Sequence, residues 1–204
     1  MCIFLLQYII FHNTGDMLFY LLQDLAFVPV QAIVVTLALN KLINVIEKQS
    51  NLKKINVIIS AFFAEAGTLI LCALAEHNEN NHKLYEIVDI TKLEKNNVKE
   101  IKSKVNDFNY EINVTSEKLE KLKAILIDEK SYMISMLENT NLMEHDSFTD
   151  MLWAIFHVAD ELQTRESLRE LPHEDLNHLS TDILRAYTMI IMEWINYIRY
   201  LKKE

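Results

Sequence analysis

The chain has 204 residues, a net charge of −9 from 20 Lys and Arg against 29 Asp and Glu, and only 2 Gly and 2 Pro. Average usage would supply about 14 Gly and about 10 Pro. Gly15 and Gly67 alone leave no GxGxxG turn and no P-loop, and too few turn residues for a sandwich, barrel or doubly wound sheet. The acidic balance lacks the basic face of a nucleic-acid binder, so no nucleic acid is expected as a partner. Cys2 and Cys72 both sit in hydrophobic segments and form neither a disulfide framework nor a zinc spacing. No cofactor motif is present. The expected class is all-α: an N-terminal transmembrane helix, a second hydrophobic helix, then an antiparallel helical bundle.

Residues 1–16 form a short N-terminal segment. MCIFLLQYIIF is apolar but too short to span, and His12 to Asp16 interrupts it. It reads either as an interfacial extension or as a start placed upstream of a true initiator at Met17. Residues 17–40 read as the anchor. From Met17 to Leu39 the only charge is Asp24. Such a stretch rises about 34 Å as a helix, enough for a hydrocarbon core of about 30 Å. No basic n-region precedes it and no small-residue cleavage site follows, so it reads as a retained anchor and not as a signal peptide.

No Lys or Arg occurs before Lys41, and Lys41, Lys48, Lys53 and Lys54 follow the span directly. The positive-inside rule puts that end in the cytoplasm. Residues 41–76 combine this Lys-rich stretch with a second apolar run, Ile55 to Ala75, which holds Glu65 near its centre. A carboxylate at mid-bilayer costs about 2.5–3.5 kcal/mol. One span is the favoured topology, because Lys83, Lys92, Lys95, Lys99, Lys102 and Lys104 come next and suit the inner side. The run then lies on the bilayer or packs against the domain. Two spans are the alternative.

Residues 77–115 read as a connector: a polar break, a short amphipathic helix on Val98, Ile101, Val105 and Phe108, and an alternating extended stretch from Tyr110 to Val114. Residues 116–204 read as the C-terminal helical domain. A helix from Ser116 to Glu138 carries Leu119, Leu122, Leu126, Met133 and Leu137 on one side. A second opens on a capping box, Ser147 with Asp150, and runs to Arg165 with Phe148, Met151, Leu152, Ile155, Phe156, Ala159 and Leu162 inward. The last, from Asp175 to Lys202, carries Leu179, Ile183, Tyr187, Ile190, Trp194, Ile198 and Leu201. Trp153 and Trp194 read as core or interface residues.

Two polar stripes accompany the last two helices. Asp150, His157 and Glu161 fall within about 40° of one another, and His178, Asp182 and Arg185 do the same. Asp150, His157, Glu161, His178 and Asp182 are the candidate metal-ligating residues. Each stripe lies roughly 160° from the centre of its own helix's apolar stripe, so in a simple bundle both face water as ordinary i,i+4 pairs. A metal or acid/base site requires the two faces to turn toward each other. Asp24 and Glu65, ionisable groups in apolar segments, are the intramembrane polar candidates.

The sequence resembles an uncharacterised family of small membrane-anchored all-helical proteins from Gram-positive bacteria. The likeness rests on Leu137-Glu138-Asn139, Asn141-Leu142, Glu144-His145, Ser147-Phe148-Thr149-Asp150, Phe156-His157, Glu161-Leu162 and Arg165. It continues through Asp175, His178-Leu179, Asp182-Ile183, Arg185, Tyr187, Trp194 and Tyr197, and includes the run from Ile55 through Phe62-Phe63 to Glu65 and Gly67-Thr68. It is weakest over 77–115. Members of that family continue past the last helix into an aromatic-rich tail, a departure that leaves a shortened variant as one open reading. The resemblance implies a single-span anchor and a helical domain, and no reaction. It draws attention to His145, Asp150, His157, Glu161, Arg165, His178, Asp182 and Arg185, of which His145, Arg165 and Arg185 are the candidate interaction face.

The expected role is therefore a membrane-anchored interaction or scaffold protein, with docking favoured over catalysis and the enzyme question left open. Its partners are the lipid bilayer and an unknown protein or a second copy. The alternative is a metal-dependent or hydrolytic helical enzyme using the His157/Glu161 and His178/Asp182 faces. A small transport element built on Asp24 and Glu65 is a third reading.

Overall fold

The computed structural model describes residues 9–10, 14–89, 91, 97–143 and 145–202. The expectations for Cys2 and for most of the N-terminal segment, and the positions of Lys92 and Lys95, lie outside those residues. The chain divides into two compact units, residues 1–51 and 52–204.

Helix α1 runs from Thr14 to Phe62, and its first part makes up the described helix of the first unit. Pro29 lies inside it and supplies no N–H to the carbonyl of Leu25. From Leu18 to Ser50 every residue is exposed, including Leu18, Phe19, Leu25, Ile33 and Leu37. No amphipathic face exists on this stretch to pack against anything else. The helical run Leu18–Ala75 is long and apolar enough to cross a membrane, and its most apolar window is 44% buried inside the protein.

The sequence pattern suggests two separate apolar helices either side of a Lys-rich stretch. The structure instead has one uninterrupted helical path. The α1 helix continues through Lys41, Lys48, Lys53 and Lys54 to Phe62, a π-turn spans Phe63–Gly67, and α2 takes Thr68–Ala75. The reason is local. Residues 41–62 contain no Gly or Pro, and their Lys, Leu and Glu are good helix formers. The π-turn is marked by the Thr68 N–H, which donates to the Phe63 carbonyl, and by the Thr68 hydroxyl, which donates to the same oxygen at 2.6 Å.

In the second unit this segment forms core. Ile55, Ile59, Phe62, Phe63, Ala66, Ile70, Ala73 and Leu74 are buried. Phe62 meets Phe148 edge-on at 5.2 Å and Phe63 stacks on Tyr197 at 5.0 Å. Gly67 lies in this crowd at an ordinary helical φ of −61°. A Cβ there would come within 2.5 Å of the Phe62 ring and 2.9 Å of the Phe63 ring.

The rest of the unit is α3 (Asn81–Ile87), α4 (Val98–Asn106), α5 (Ser116–Asp128), α6 (Lys130–Leu137), α7 (Thr140–Met143), α8 (Asp146–Thr164) and α9 (His173–Leu201). The amphipathic patterns hold along α4, α5, α8 and α9, with Val98, Ile101, Val105, Leu119, Leu122, Leu126, Ile155, Leu162, Leu179, Ile183 and Ile190 all buried, whereas Leu201 at the end of the expected α9 stripe is exposed. α8 and α9 pack along each other, α5 packs on α8 and α2, and α4 packs on α9. No strand occurs among the described residues. The alternating stretch docks by a single antiparallel bridge, Asn78 with Ile112, flanked by Glu79 N–H to Glu111 O at 2.9 Å and Asn113 N–H to His77 O at 2.7 Å.

Three boundaries differ from the sequence expectation. The polar break 77–85 runs into α3, which starts inside it at Asn81; Leu84 is buried and the Asn81 side chain is held from α9. The single helix expected over 116–138 divides at Glu129, although the backbone hydrogen bonds Glu129 N–H to Ile125 O and Met133 N–H to Glu129 O carry across. Ser147 is not the N-cap of α8. His145 holds that position, and its Nδ1 accepts from the Phe148 N–H at 3.3 Å. The α7 turn is the cause: its Leu142 carbonyl accepts from the His145 N–H and from the Thr149 hydroxyl, which fixes the chain two residues earlier.

Two lysines from neighbouring helices reach the end of α8. Lys123 Nζ donates to the Arg165 carbonyl at 3.3 Å, and Lys130 Nζ donates to Asp160 and Gln163 at 2.8 Å each.

Candidate functional site

The two polar stripes do not point separately into water. They border the seam between α8 and α9. α8 is buried over a broad arc that includes Met151, Leu152, Ala154, Ile155, Phe156, Val158, Ala159 and Leu162. A helix buried that widely leaves only a narrow polar strip, and α9 lies along it. Taking each helix as having one neighbour on the axis of its apolar stripe therefore gives the wrong facing.

Three side chains meet there. His157 projects from α8. His178 and Asp182 stand one turn apart on α9. Asp182 Oδ2 lies 2.8 Å from His178 Nδ1 and 3.4 Å from His157 Nε2. One ligand atom from each residue lies within 4.8 Å of the other two. The imidazole rings are tilted with centroids 6.2 Å apart. Both histidines are half-exposed, whereas the Asp182 side chain is only 13% exposed. Its Oδ2 is fully buried and accepts no hydrogen bond of sound geometry. A buried carboxylate oxygen ordinarily has a donor. These three residues are the ones that could hold a metal ion.

Glu161 sits one turn beyond His157 and is held by Arg165, whose Nη1 donates to its carboxylate and, at 2.7 Å, to its backbone carbonyl. The Arg165 hydrogen bond keeps the Glu161 carboxyl below its usual range; burial opposes this, and the charges of Arg165, His178 and His157 add to the lowering. Asp150 is exposed and stands outside the cluster of three.

Of the other candidates, His145 caps α8 and Arg165 grips Glu161, so each has a partner within the chain. Arg185 is exposed on α9. Asp24 is exposed on α1 within the first unit. Glu65 is exposed in the π-turn of the second unit. Its charge reaches Glu129 and Tyr132, whose pKa values are pushed up mainly by burial and further by Glu65. Trp153, offered as core or interface, is 59% exposed beside Phe156, while Trp194 packs partly buried against the core. A cleft of about 430 Å³ lies elsewhere, among Glu79, Glu111, Asn113, Leu176, Asn177 and Ser180.

The sequence comparisons agree on one relationship. Residues 1–43 match the model for the MJ1433 N-terminal helical domain, and residues 51–204 match the model for the C-terminal helical domain of uncharacterized protein MJ1433. The chain is 37% identical over 203 residues to the uncharacterized protein MJ1433 of Methanocaldococcus jannaschii, covering 98% of this chain and 81% of that protein. No solved structure matches. This relative is archaeal, which corrects the Gram-positive source implied by the resemblance. The chain thus belongs to the uncharacterised MJ1433 family, with an N-terminal and a C-terminal helical domain.

Proposed function

We propose that the protein is a single-span membrane protein, anchored by residues 17–40, whose helical domain lies in the cytoplasm and works as an interaction module. The observation that carries this reading is the exposure of every side chain from Leu18 to Leu39 on a helical stretch whose only charge is Asp24. Such a helix has no stable place in water and is at home in hydrocarbon, where its backbone groups satisfy one another. The lysines at 41, 48, 53 and 54 support a cytoplasmic C-terminal side. Burial of Ile55, Ile59, Phe62, Ile70 and Leu74 in the domain core supports one span over two. Expression with C-terminal alkaline phosphatase or fluorescent-protein fusions tests the topology. A fluorescent, phosphatase-inactive pair is expected in a membrane fraction resistant to carbonate. An active phosphatase, or release by carbonate, overturns the reading.

The docking surface in this proposal includes Arg185, since His145 and Arg165 are engaged within the chain. Pull-down from membranes with wild type and Arg185→Glu tests it. Loss of a partner or of self-association is expected, and an unchanged partner set counts against docking through this face.

A further inference from the structure

We infer that His157, His178 and Asp182 form a binding site for a divalent first-row transition metal of the zinc type, clamping α8 to α9. This goes beyond the anchoring reading and does not depend on it.

The geometry is the first ground. A tetrahedral ion with bonds of about 2.0–2.1 Å to nitrogen and oxygen holds its donors about 3.3 Å apart. Asp182 Oδ2 stands 2.8 Å and 3.4 Å from the two imidazole nitrogens, on either side of that spacing. On α9, His178 and Asp182 have the i,i+4 spacing that brings two ligands to one side of a helix. His157 then arrives from the facing helix.

The second ground is independent of the spacing. Asp182 Oδ2 is buried and accepts no hydrogen bond. Two imidazole nitrogens lie close to it, yet neither makes a hydrogen bond of sound geometry with it. Groups in a simple hydrogen-bonded ion pair would align on the line between them. Lone pairs converging on a common point between the atoms instead leave the carboxylate looking unpartnered until a cation occupies that point.

The donor set selects the ion. Two imidazoles and one carboxylate suit Zn, Co, Ni or Fe. They offer too few oxygens for Ca²⁺, and Mg²⁺ prefers oxygen ligands and retained water. The half-exposed histidines leave an entry path. Glu161, one turn beyond His157 on α8, is held by Arg165, and Asp160 before it is paired with Lys130. The fourth position is therefore open to solvent, as in three-ligand zinc sites.

The test uses the full-length chain without a polyhistidine tag, in mild detergent, stripped with chelator. Titration with Co²⁺ is expected to give intense tetrahedral d–d bands that saturate at one ion per chain. Zn²⁺ bleaches them and excess Mg²⁺ does not. Asp182→Asn keeps the shape of the side chain and should retain the circular dichroism spectrum while weakening binding more than about 100-fold, beyond the 10–100-fold that supporting residues give. His157→Ala and His178→Ala should do the same, and His82→Ala, remote in sequence on α3, should bind as wild type. Weak octahedral Co²⁺ spectra, or equal binding by wild type and the three ligand variants, overturn the inference. Failure of the topology experiment would leave this titration unaffected.

Discussion

Tyr187 on α9 donates a 2.6 Å hydrogen bond to Asn81 Oδ1 at the start of α3, across 106 positions of sequence. Tyr187 is 1% exposed, and its ring also meets Tyr110 edge-on at 6.0 Å. The phenol is held far above its ordinary pKa by burial, so it stays a neutral donor at any physiological pH. Tyr187→Phe keeps the ring and deletes the donor. It is expected to cost about 1–2 kcal/mol, since a buried hydrogen bond is lost and Asn81 has partial access to water. Urea unfolding should show a lower midpoint at an unchanged slope. An unshifted midpoint would mean that this link does not hold α3.

Gly67→Ala is expected to destabilise the domain, although Gly67 has a helical φ and alanine is the better helix former by about 1 kcal/mol. The added methyl meets the rings of Phe62 and Phe63. Those rings are themselves locked against Phe148 and Tyr197. Overpacking of this kind costs about 1–3 kcal/mol, which outweighs the propensity gain. A thermal midpoint below wild type supports the steric account, and a raised midpoint refutes it.

Acid should weaken the domain through His77. Its ring is 1% exposed, and Nδ1 lies 3.1 Å from the Ala73 carbonyl. Burial lowers its pKa, with nearby Lys118 assisting, while the hydrogen bonds to Ala73 and Leu74 and the charge of Glu76 oppose. The folded state thus binds a proton less readily than the unfolded chain, whose His titrates near 6.5. The unfolded state carries more protons as pH falls below that value, so stability is full above it and is lost toward the lower folded pKa. Denaturant midpoints measured from neutral pH downward should fall, and His77→Gln should flatten that dependence. An identical slope in the variant would assign the acid sensitivity elsewhere.

A fragment of residues 52–204 should fold without the first unit. Its core, from Ile55 to Ile195, draws on α2, α5, α8 and α9 and contains none of residues 14–51. Cooperative thermal unfolding of the fragment, with a sharp near-ultraviolet signal from Trp194 and the buried Tyr187, is the expected result. A broad, non-cooperative transition would mean that residues before 52 complete the core.

The amphipathic helices were readable because Val98, Leu122, Ile155 and Ile183 are buried at the helical period. What escaped the pattern was set by tertiary neighbours. HNENNHKLY has no apolar stripe, and α3 exists because Leu84 is buried and Asn81 is gripped from α9. The Lys-rich stretch after residue 40 looks like a loop by charge but lacks any residue that breaks a helix. The π-turn depends on space for Phe62 and Phe63 beside Gly67, which no local rule reports. For the candidate site, the residues were all visible as two polar stripes. Their meeting was not, because it depends on how much of α8 its other neighbours cover.

The last turn of α8 contains no basic residue of its own. A helix C-terminus carries a partial negative charge and carbonyls without partners. Here Arg165 folds back onto the Glu161 carbonyl, and Lys123 from α5 and Lys130 from α6 bring their ammonium groups to the same end. The dipole of α8 is thereby neutralised largely in trans, by cations that reach it only once the helices have assembled. An isolated α8 peptide would fray where the folded protein holds firm, so the end of this helix and the placement of α5 and α6 rise and fall together as one cooperative unit.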